Sequence, residues 1–138
     1  MLSADGDLAA PILDYEHPGP DELSADYDHL RPPFSETGSP RLAGGLNVGA
    51  RLDGQCQNDP GRGGRTAHVV TYPQFGGQRR TGTRAGDVTS LGGHTDLWNP
   101  VAGAPSTLVT DLGLGHKLAP PRKPADVLGS VLPDIARA

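Results

Sequence analysis

The chain has 138 residues, a formal net charge of −4 and one cysteine, Cys56. This length corresponds to one domain, a single cysteine excludes an internal disulfide, and no apolar run is long enough for a membrane span. No basic and apolar opening of the kind that marks a signal peptide is present. A soluble protein, cytoplasmic or virion-associated, is therefore expected.

Glycine, proline and a shortage of aromatic residues limit the predicted core. The chain contains 20 glycines and 14 prolines but only one Trp, three Tyr and two Phe. Such a composition lies at the edge of the range found for disordered chains. A small core with long irregular segments is the expected result.

Residues 1–45 are predicted to form an extended acidic arm. The first 30 residues contain eight Asp and Glu and no Lys or Arg, so their net charge is −8 against +4 for the rest. Six prolines interrupt the arm, which leaves room for one short helix over residues 21–30. The charge asymmetry indicates either contact with a basic surface, on the same chain or on a neighbour, or a solvated tail.

Residues 46–112 are predicted to form a small β-sandwich or barrel, so the expected fold class is mainly β. Apolar and polar residues alternate over 46–52, and the segments 66–72 and 106–112 are rich in strand-forming residues. A weaker strand is expected over 81–91. Turn residues separate these segments, a pattern typical of small all-β domains.

Residues 113–138 are predicted to form a Pro-rich linker and a short C-terminal helix. Five apolar residues recur at helical spacing in the last 14 residues, although Pro133 interrupts them. A helix this short needs a surface to pack against, and a partner protein is the expected surface. The five residues are Val127, Leu128, Val131, Leu132 and Ile135.

Arginines cluster between glycines in two segments, 61–65 and 76–84. Glycine permits a close approach of the backbone to phosphate, and arginine binds phosphate with paired hydrogen bonds. The Gly-Lys-Ser/Thr ending of a phosphate-binding P-loop is missing, however. Arg79, Arg80 and Arg84 are therefore expected either to lie in solvated β-turns or to contact the acidic arms of neighbouring copies, and nucleic acid is not the expected partner.

The segment Gly92-Gly93-His94-Thr95-Asp96 suggests an alternative function as a metal site. Tyr72-Pro73, this segment and residues 106–111 together resemble the middle of the isopenicillin-N-synthase-like iron and 2-oxoglutarate oxygenases. The resemblance implies that His94 and Asp96 bind Fe(II), and His116 is the residue that could complete a two-His-one-carboxylate set. The favoured interpretation places His94 and Asp96 in a polar turn, and Trp98 is expected to anchor the loop that contains this turn.

The sequence favours a non-enzymatic structural protein over an enzyme. By analogy of size and composition, it resembles phage capsid decoration or connector proteins, which become ordered on a larger assembly. In this interpretation the chain holds no cofactor and binds other protein subunits in multiple copies. The alternative is an Fe(II)-dependent oxygenase-like protein.

Overall fold

The computed structural model describes residues 1–14, 16–17 and 24–137. Short helices and turns make up most of these residues, and no helix among them is long and apolar enough to cross a membrane. The helices are α1 (Ser24–Leu30), α2 (Phe34–Thr37), α3 (Val48–Asn58), α4 (Arg62–Arg65), α5 (Tyr72–Thr81), α6 (Val88–Leu91), α7 (Thr107–Asp111) and α8 (Pro133–Ala136).

The prediction of a mainly β body is wrong. Each of the strands in the described residues is two residues long, and they form two separate two-stranded sheets. Strands β1 (Gly86–Asp87) and β4 (Pro121–Arg122) pair in parallel, whereas β2 (Trp98–Asn99) and β3 (Ala104–Pro105) pair antiparallel. The sheets contribute little to the body, whose buried helical residues come mainly from α3, α6 and α7.

The alternation over residues 46–52 does not correspond to a strand, because most of this segment lies in helix α3. Two of its presumed solvent-facing residues, Asn47 and Gly49, are buried, whereas Leu46 is 39% exposed. The Asn47 side chain accepts a hydrogen bond from the Leu42 backbone at 2.9 Å and donates one to the Pro40 carbonyl at 2.9 Å. The buried Asn47 side chain therefore stabilises the loop that precedes α3.

The other predicted strands are also mostly absent. Residues 66–72 make only isolated bridges, Leu2 to His68 and Val69 to Leu118, before α5 begins at Tyr72. Residues 81–91 contain the short strand β1 followed by α6, and residues 106–112 contain α7. β-Branched residues predict strands through a side-chain preference that tertiary packing readily overrides.

The core lies between helices α3 and α7 and the loop that contains Trp98. Gly49 of α3 is the point of closest approach, since a Cβ atom there would collide with the Tyr27 hydroxyl and the Leu108 side chain. The core side chains are Tyr27, Ala50, Leu52, Val69, Leu91, Leu97, Trp98, Leu108, Val109 and Leu114. Because Tyr27 belongs to this core, part of the predicted arm is packed into the body.

A helix is present in each of the two terminal segments that were predicted to be helical. The helix predicted over residues 21–30 is present as α1, Ser24–Leu30, and positions 21–23 lie outside the described residues. Near the C-terminus only Pro133–Ala136 is helical. Pro133 is acceptable at the first turn of a helix but not in its interior, so it begins α8 instead of interrupting a longer helix.

Candidate functional site

A buried polar cluster surrounds the carboxylate of Asp96, which is 0% exposed. Its Oδ2 atom accepts a hydrogen bond from the Tyr27 hydroxyl at 2.7 Å and one from Arg31 Nε at 3.0 Å. Arg31 Nη2 donates to Oδ1 at 3.2 Å and also to the Ser39 carbonyl. An ionised carboxylate is tolerated in an interior only when it is paired in this way.

The backbone around Asp96 is fixed as firmly as its side chain. Asp96 has a φ of +62°, a left-handed conformation that few residues other than glycine adopt but that Asp and Asn tolerate. Its carbonyl accepts a hydrogen bond from the Ser106 hydroxyl at 2.6 Å. The preceding carbonyl, of Thr95, accepts the Gly49 N–H at 2.9 Å. The cluster therefore joins α1, the loop before α3 and the loop before β2.

The three residues proposed as Fe(II) ligands do not form a metal site. His94 and His116 are exposed, whereas Asp96 is buried against Arg31. Across residues 1–14, 16–17 and 24–137, no three His, Cys, Asp or Glu side chains are grouped so that they could hold a metal ion. Both carboxylate oxygens of Asp96 already accept hydrogen bonds from Tyr27 or Arg31. A metal ion would have to displace these two side chains.

Trp98 lies in the core next to the cluster, with 5% of its surface exposed. Residue 98 pairs with Pro105 across the β2–β3 ladder. A backbone hydrogen bond extends this pairing by one residue, since the Ser106 N–H donates to the Leu97 carbonyl at 3.0 Å. The ring and the ladder hold the end of the loop that carries Asp96.

The arginines of the glycine-rich segments are largely engaged with groups of the same chain. Arg79 lies 3.8 Å from the Asp7 carboxylate, Arg80 donates to the Gly76 carbonyl at 3.1 Å, and Arg84 donates to the Ala4 carbonyl at 3.1 Å. Arg62 and Arg65 both pair with Asp59. These contacts all lie within one chain, and pairing of Arg79, Arg80 and Arg84 with neighbouring copies stays a prediction.

Four of the five C-terminal apolar residues remain well exposed, whereas Leu128 is half-buried beside helix α5. The Leu132 N–H donates to the Arg80 carbonyl at 2.8 Å, and the Thr83 hydroxyl donates to the Leu128 carbonyl at 2.8 Å. Val127 is 87% exposed, and Val131, Leu132 and Ile135 are 49%, 39% and 48% exposed. That these residues bind a partner protein stays a prediction.

A second feature is an apolar groove between the N-terminal segment and helices α3 and α5. It is an open cavity of about 170 Å³. Polar groups at its wall belong to Arg51, Gln55 and Thr71, and Gln55 Nε2 donates to the Pro11 carbonyl at 2.9 Å. The apolar lining includes Leu8, Ile12, Leu13, Val48, Leu52 and Phe75.

Sequence reasoning missed the partners of Asp96. Tyr27 and Arg31 are four residues apart in sequence, which places them on the same side of α1 and its C-terminal extension. An aromatic hydroxyl and a guanidinium at this spacing are suitable donors for one buried carboxylate. That signal was present in the sequence, but the carboxylate lies 69 residues beyond Tyr27 and 65 beyond Arg31.

Comparison with known proteins identifies the fold. No protein-family model and no curated protein sequence matches the chain. Over 99% of its length the chain matches the crystal structure of a carbohydrate kinase from Novosphingobium aromaticivorans with a TM-score of 0.88 and 39% sequence identity. It also matches xylulose kinases from Lactobacillus acidophilus (TM-score 0.81, 14% identity) and Rhodospirillum rubrum (TM-score 0.74, 21% identity), again over 99% of its length.

These similarities overturn the prediction of a non-enzymatic virion protein, whether capsid decoration or connector, because the structural neighbours are sugar kinases. The chain spans only 29%, 28% and 29% of the lengths of the three kinases named above. The predicted absence of a cofactor and the predicted protein partners stay predictions. The chain has the fold of a segment that makes up a little under a third of these carbohydrate kinases.

Proposed function

We propose that this chain functions as a segment of a carbohydrate kinase, an enzyme that transfers a phosphoryl group to a sugar. The observation that carries the proposal is the 39% identity to the Novosphingobium kinase over 99% of the chain, at a TM-score of 0.88. The other matches support the fold alone, since their identities are 14–21%. The first match adds sequence similarity to the shared fold.

The part played by this chain is structural support of the kinase fold. Phosphoryl transfer depends on charged groups and metal ions that surround the transferred phosphate. In the described ranges, the arginines of the 61–65 and 76–84 segments contact their own chain, and no three His, Cys, Asp or Glu side chains are grouped so that they could hold a metal ion. We therefore assign nucleotide and metal binding to the part of the kinase that has no counterpart here.

The proposal is tested with a chimeric enzyme. Residues 1–138 replace the matched segment of the Novosphingobium kinase, and phosphorylation of a panel of sugars and sugar acids is measured alongside the parent enzyme. We expect the chimera to phosphorylate the parent's substrate with kcat/KM within about tenfold of the parent value. The isolated chain should show no phosphorylation of any sugar in the panel.

Two controls define the outcome. A kinase from which the matched segment is deleted should be inactive, which shows that the segment is needed. A chimera that melts cooperatively at the parent's temperature but phosphorylates no sugar would contradict the proposal, because it would have the kinase fold without compatibility with the kinase chemistry.

A further inference from the structure

The N-terminal residues fold back through a tight turn that is closed by an isolated antiparallel bridge between Leu2 and Leu8. The Ser3 N–H donates to the Asp7 carbonyl at 2.8 Å, and the Ala9 N–H donates to the Met1 carbonyl at 3.1 Å. Gly6 makes the turn with a φ of +89°. Beyond Ala9 the chain continues without regular secondary structure through residues 10–13.

Residues 10–13 carry backbone groups that lack partners. Within the described ranges, Ala10, Ile12 and Leu13 take part in no hydrogen bond, and only the Pro11 carbonyl accepts one, from Gln55. Ala10 is nevertheless only 6% exposed. An extended segment whose backbone N–H and C=O groups are unpaired can accept another strand, and the backbone of Ile12 and Leu13 offers such groups.

The apolar groove lies beside the same segment. Ile12 and Leu13 line it, together with Val48 and Leu52 of α3 and Phe75 of α5. Ile12 is 50% exposed, so apolar surface on this segment is uncovered. Unpaired backbone next to apolar pockets is the combination that accepts an added β-strand, since main-chain hydrogen bonds provide affinity and the pockets select side chains.

Arg51, in the lining of the groove, has a guanidinium nitrogen without a hydrogen-bond acceptor in the described part of the chain. Its Nη2 donates to the Gly44 carbonyl at 3.2 Å, whereas its Nη1 is buried and has no hydrogen-bond partner among the described residues. A buried guanidinium N–H without an acceptor is costly. A segment seated in the groove would relieve this cost if it carried a carbonyl or carboxylate oxygen toward Arg51.

We infer that residues 10–13 and the adjoining groove bind an extended, apolar β-strand from the part of the kinase polypeptide that this chain does not contain. The inference rests on the proposed function, because the matched kinase extends well beyond this chain, which covers 29% of it. The strand presents apolar side chains at alternate positions to the groove and forms main-chain hydrogen bonds with the backbone N–H and carbonyl of Ile12.

Binding of synthetic peptides to the 138-residue chain tests this inference. Overlapping peptides span the part of the Novosphingobium kinase that has no counterpart here, and fluorescence anisotropy reports their binding. We expect binding by the few peptides with alternating apolar residues, and an affinity at least about tenfold lower for Ile12→Pro. Proline removes the Ile12 N–H, which donates no hydrogen bond in the unbound chain, so the variant should melt at the wild-type temperature.

A charge-insertion pair provides a second variant and its control. Ile12→Asp places a charge in the groove and should weaken the same peptides, whereas Val101→Asp, at a residue that is 91% exposed, should not. The inference is overturned if no peptide binds, or if Ile12→Pro and Ile12→Asp bind as well as the wild type. Dimerisation that Ile12→Pro abolishes would assign the surface to a second copy and would also overturn it. An active chimera combined with failed peptide binding would reject this inference and leave the proposed function intact.

Discussion

The guanidinium of Arg31 lies 3.0 Å from the carboxylate of Asp96, and the two side chains are 14% and 0% exposed. This pair differs from the ion pair of Arg41 and Asp28, whose side chains are 51% and 41% exposed at a distance of 2.8 Å. The nearly equal distances and the unequal burial make the two pairs a matched comparison of what an ion pair contributes in each environment.

Asp96→Asn should lower the free energy of unfolding by about 3 to 5 kcal/mol, because it leaves the buried Arg31 without its counter-charge. Asparagine tolerates the positive φ of this position, so the loss reports the charge and not backbone strain. Asp28→Asn, the control, should cost less than about 1 kcal/mol. Urea denaturation of both variants measures the difference, and equal costs would show that the Asp96 cluster is not a stabilising centre.

Tyr27 should make the protein sensitive to alkali. Burial, and next the hydrogen bond to Asp96, raise the pKa of Tyr27 above its ordinary value. Above pH 10 the unfolded phenol loses its proton while the folded one keeps it, so stability falls by up to about 1.4 kcal/mol per pH unit. Tyr27→Phe should remove the part of this loss of stability that Tyr27 causes. Tyr72→Phe, at a side chain that is 71% exposed, should retain it in urea melts from pH 9 to higher pH.

Asp53 is expected to destabilise the protein at neutral pH. Its side chain is buried and accepts a hydrogen bond from Gln57 Nε2 at 2.7 Å. Burial raises the pKa of Asp53 against the opposing effect of that bond, and nearby Asp26 raises it further. The Asp53 carboxyl therefore holds its proton more tightly in the folded state than in the unfolded state. Ionisation of Asp53 destabilises the folded protein, and this destabilisation is absent below the unfolded pKa and complete above the folded pKa.

Asp53→Asn should accordingly raise the free energy of unfolding at pH 7 by about 1 kcal/mol. The gain should disappear as the pH falls toward the ordinary carboxyl pKa, because the wild-type side chain is then neutral too. Asp5→Asn, at an exposed position, serves as the control. Chemical denaturation across pH 3.5 to 7 would contradict the prediction if the two variants changed stability in parallel.

The two adjacent glycines of α5 should respond differently to alanine. A Cβ at Gly76 would meet only the flexible Nη1 of Arg80, at 3.1 Å, whereas one at Gly77 would meet Leu128 Cδ1 at 3.1 Å. Gly76→Ala should stabilise the protein by about 0.5 to 1 kcal/mol through helix propensity. Gly77→Ala should gain less, because it displaces Leu128. Equal gains in thermal melts would show that the C-terminal segment does not pack on α5.

The fold is difficult to predict because the residues at the start of helix α3 do not show the hydrophobic periodicity of a helix. Its first turns place Asn47 and Gly49 in the interior, one as a hydrogen-bonded brace and the other as a close contact with Tyr27. In both cases the residue faces inward for a reason other than hydrophobicity. A period-2 interpretation depends on polar residues facing water, and it therefore assigned a strand to residues that form a helix.

The candidate site was partly accessible from sequence. The sequence pattern points to the segment around His94 and Asp96, and the structure places Asp96 there in a left-handed backbone conformation. The identity of the partners was not accessible, since Tyr27 and Arg31 reach Asp96 only through tertiary packing. The kinase fold could not be recognised from periodicity because its elements here are short.

The distance in sequence between Tyr27 and Asp96, 69 residues, has a consequence for biosynthesis. A ribosome releases Tyr27 and Arg31 well before Asp96, and chains are made at roughly 5 to 20 residues per second. For several seconds the emerging chain therefore carries an aromatic ring and a guanidinium whose acceptor has not yet been made. The buried cluster therefore cannot form until residue 96 has left the ribosomal tunnel.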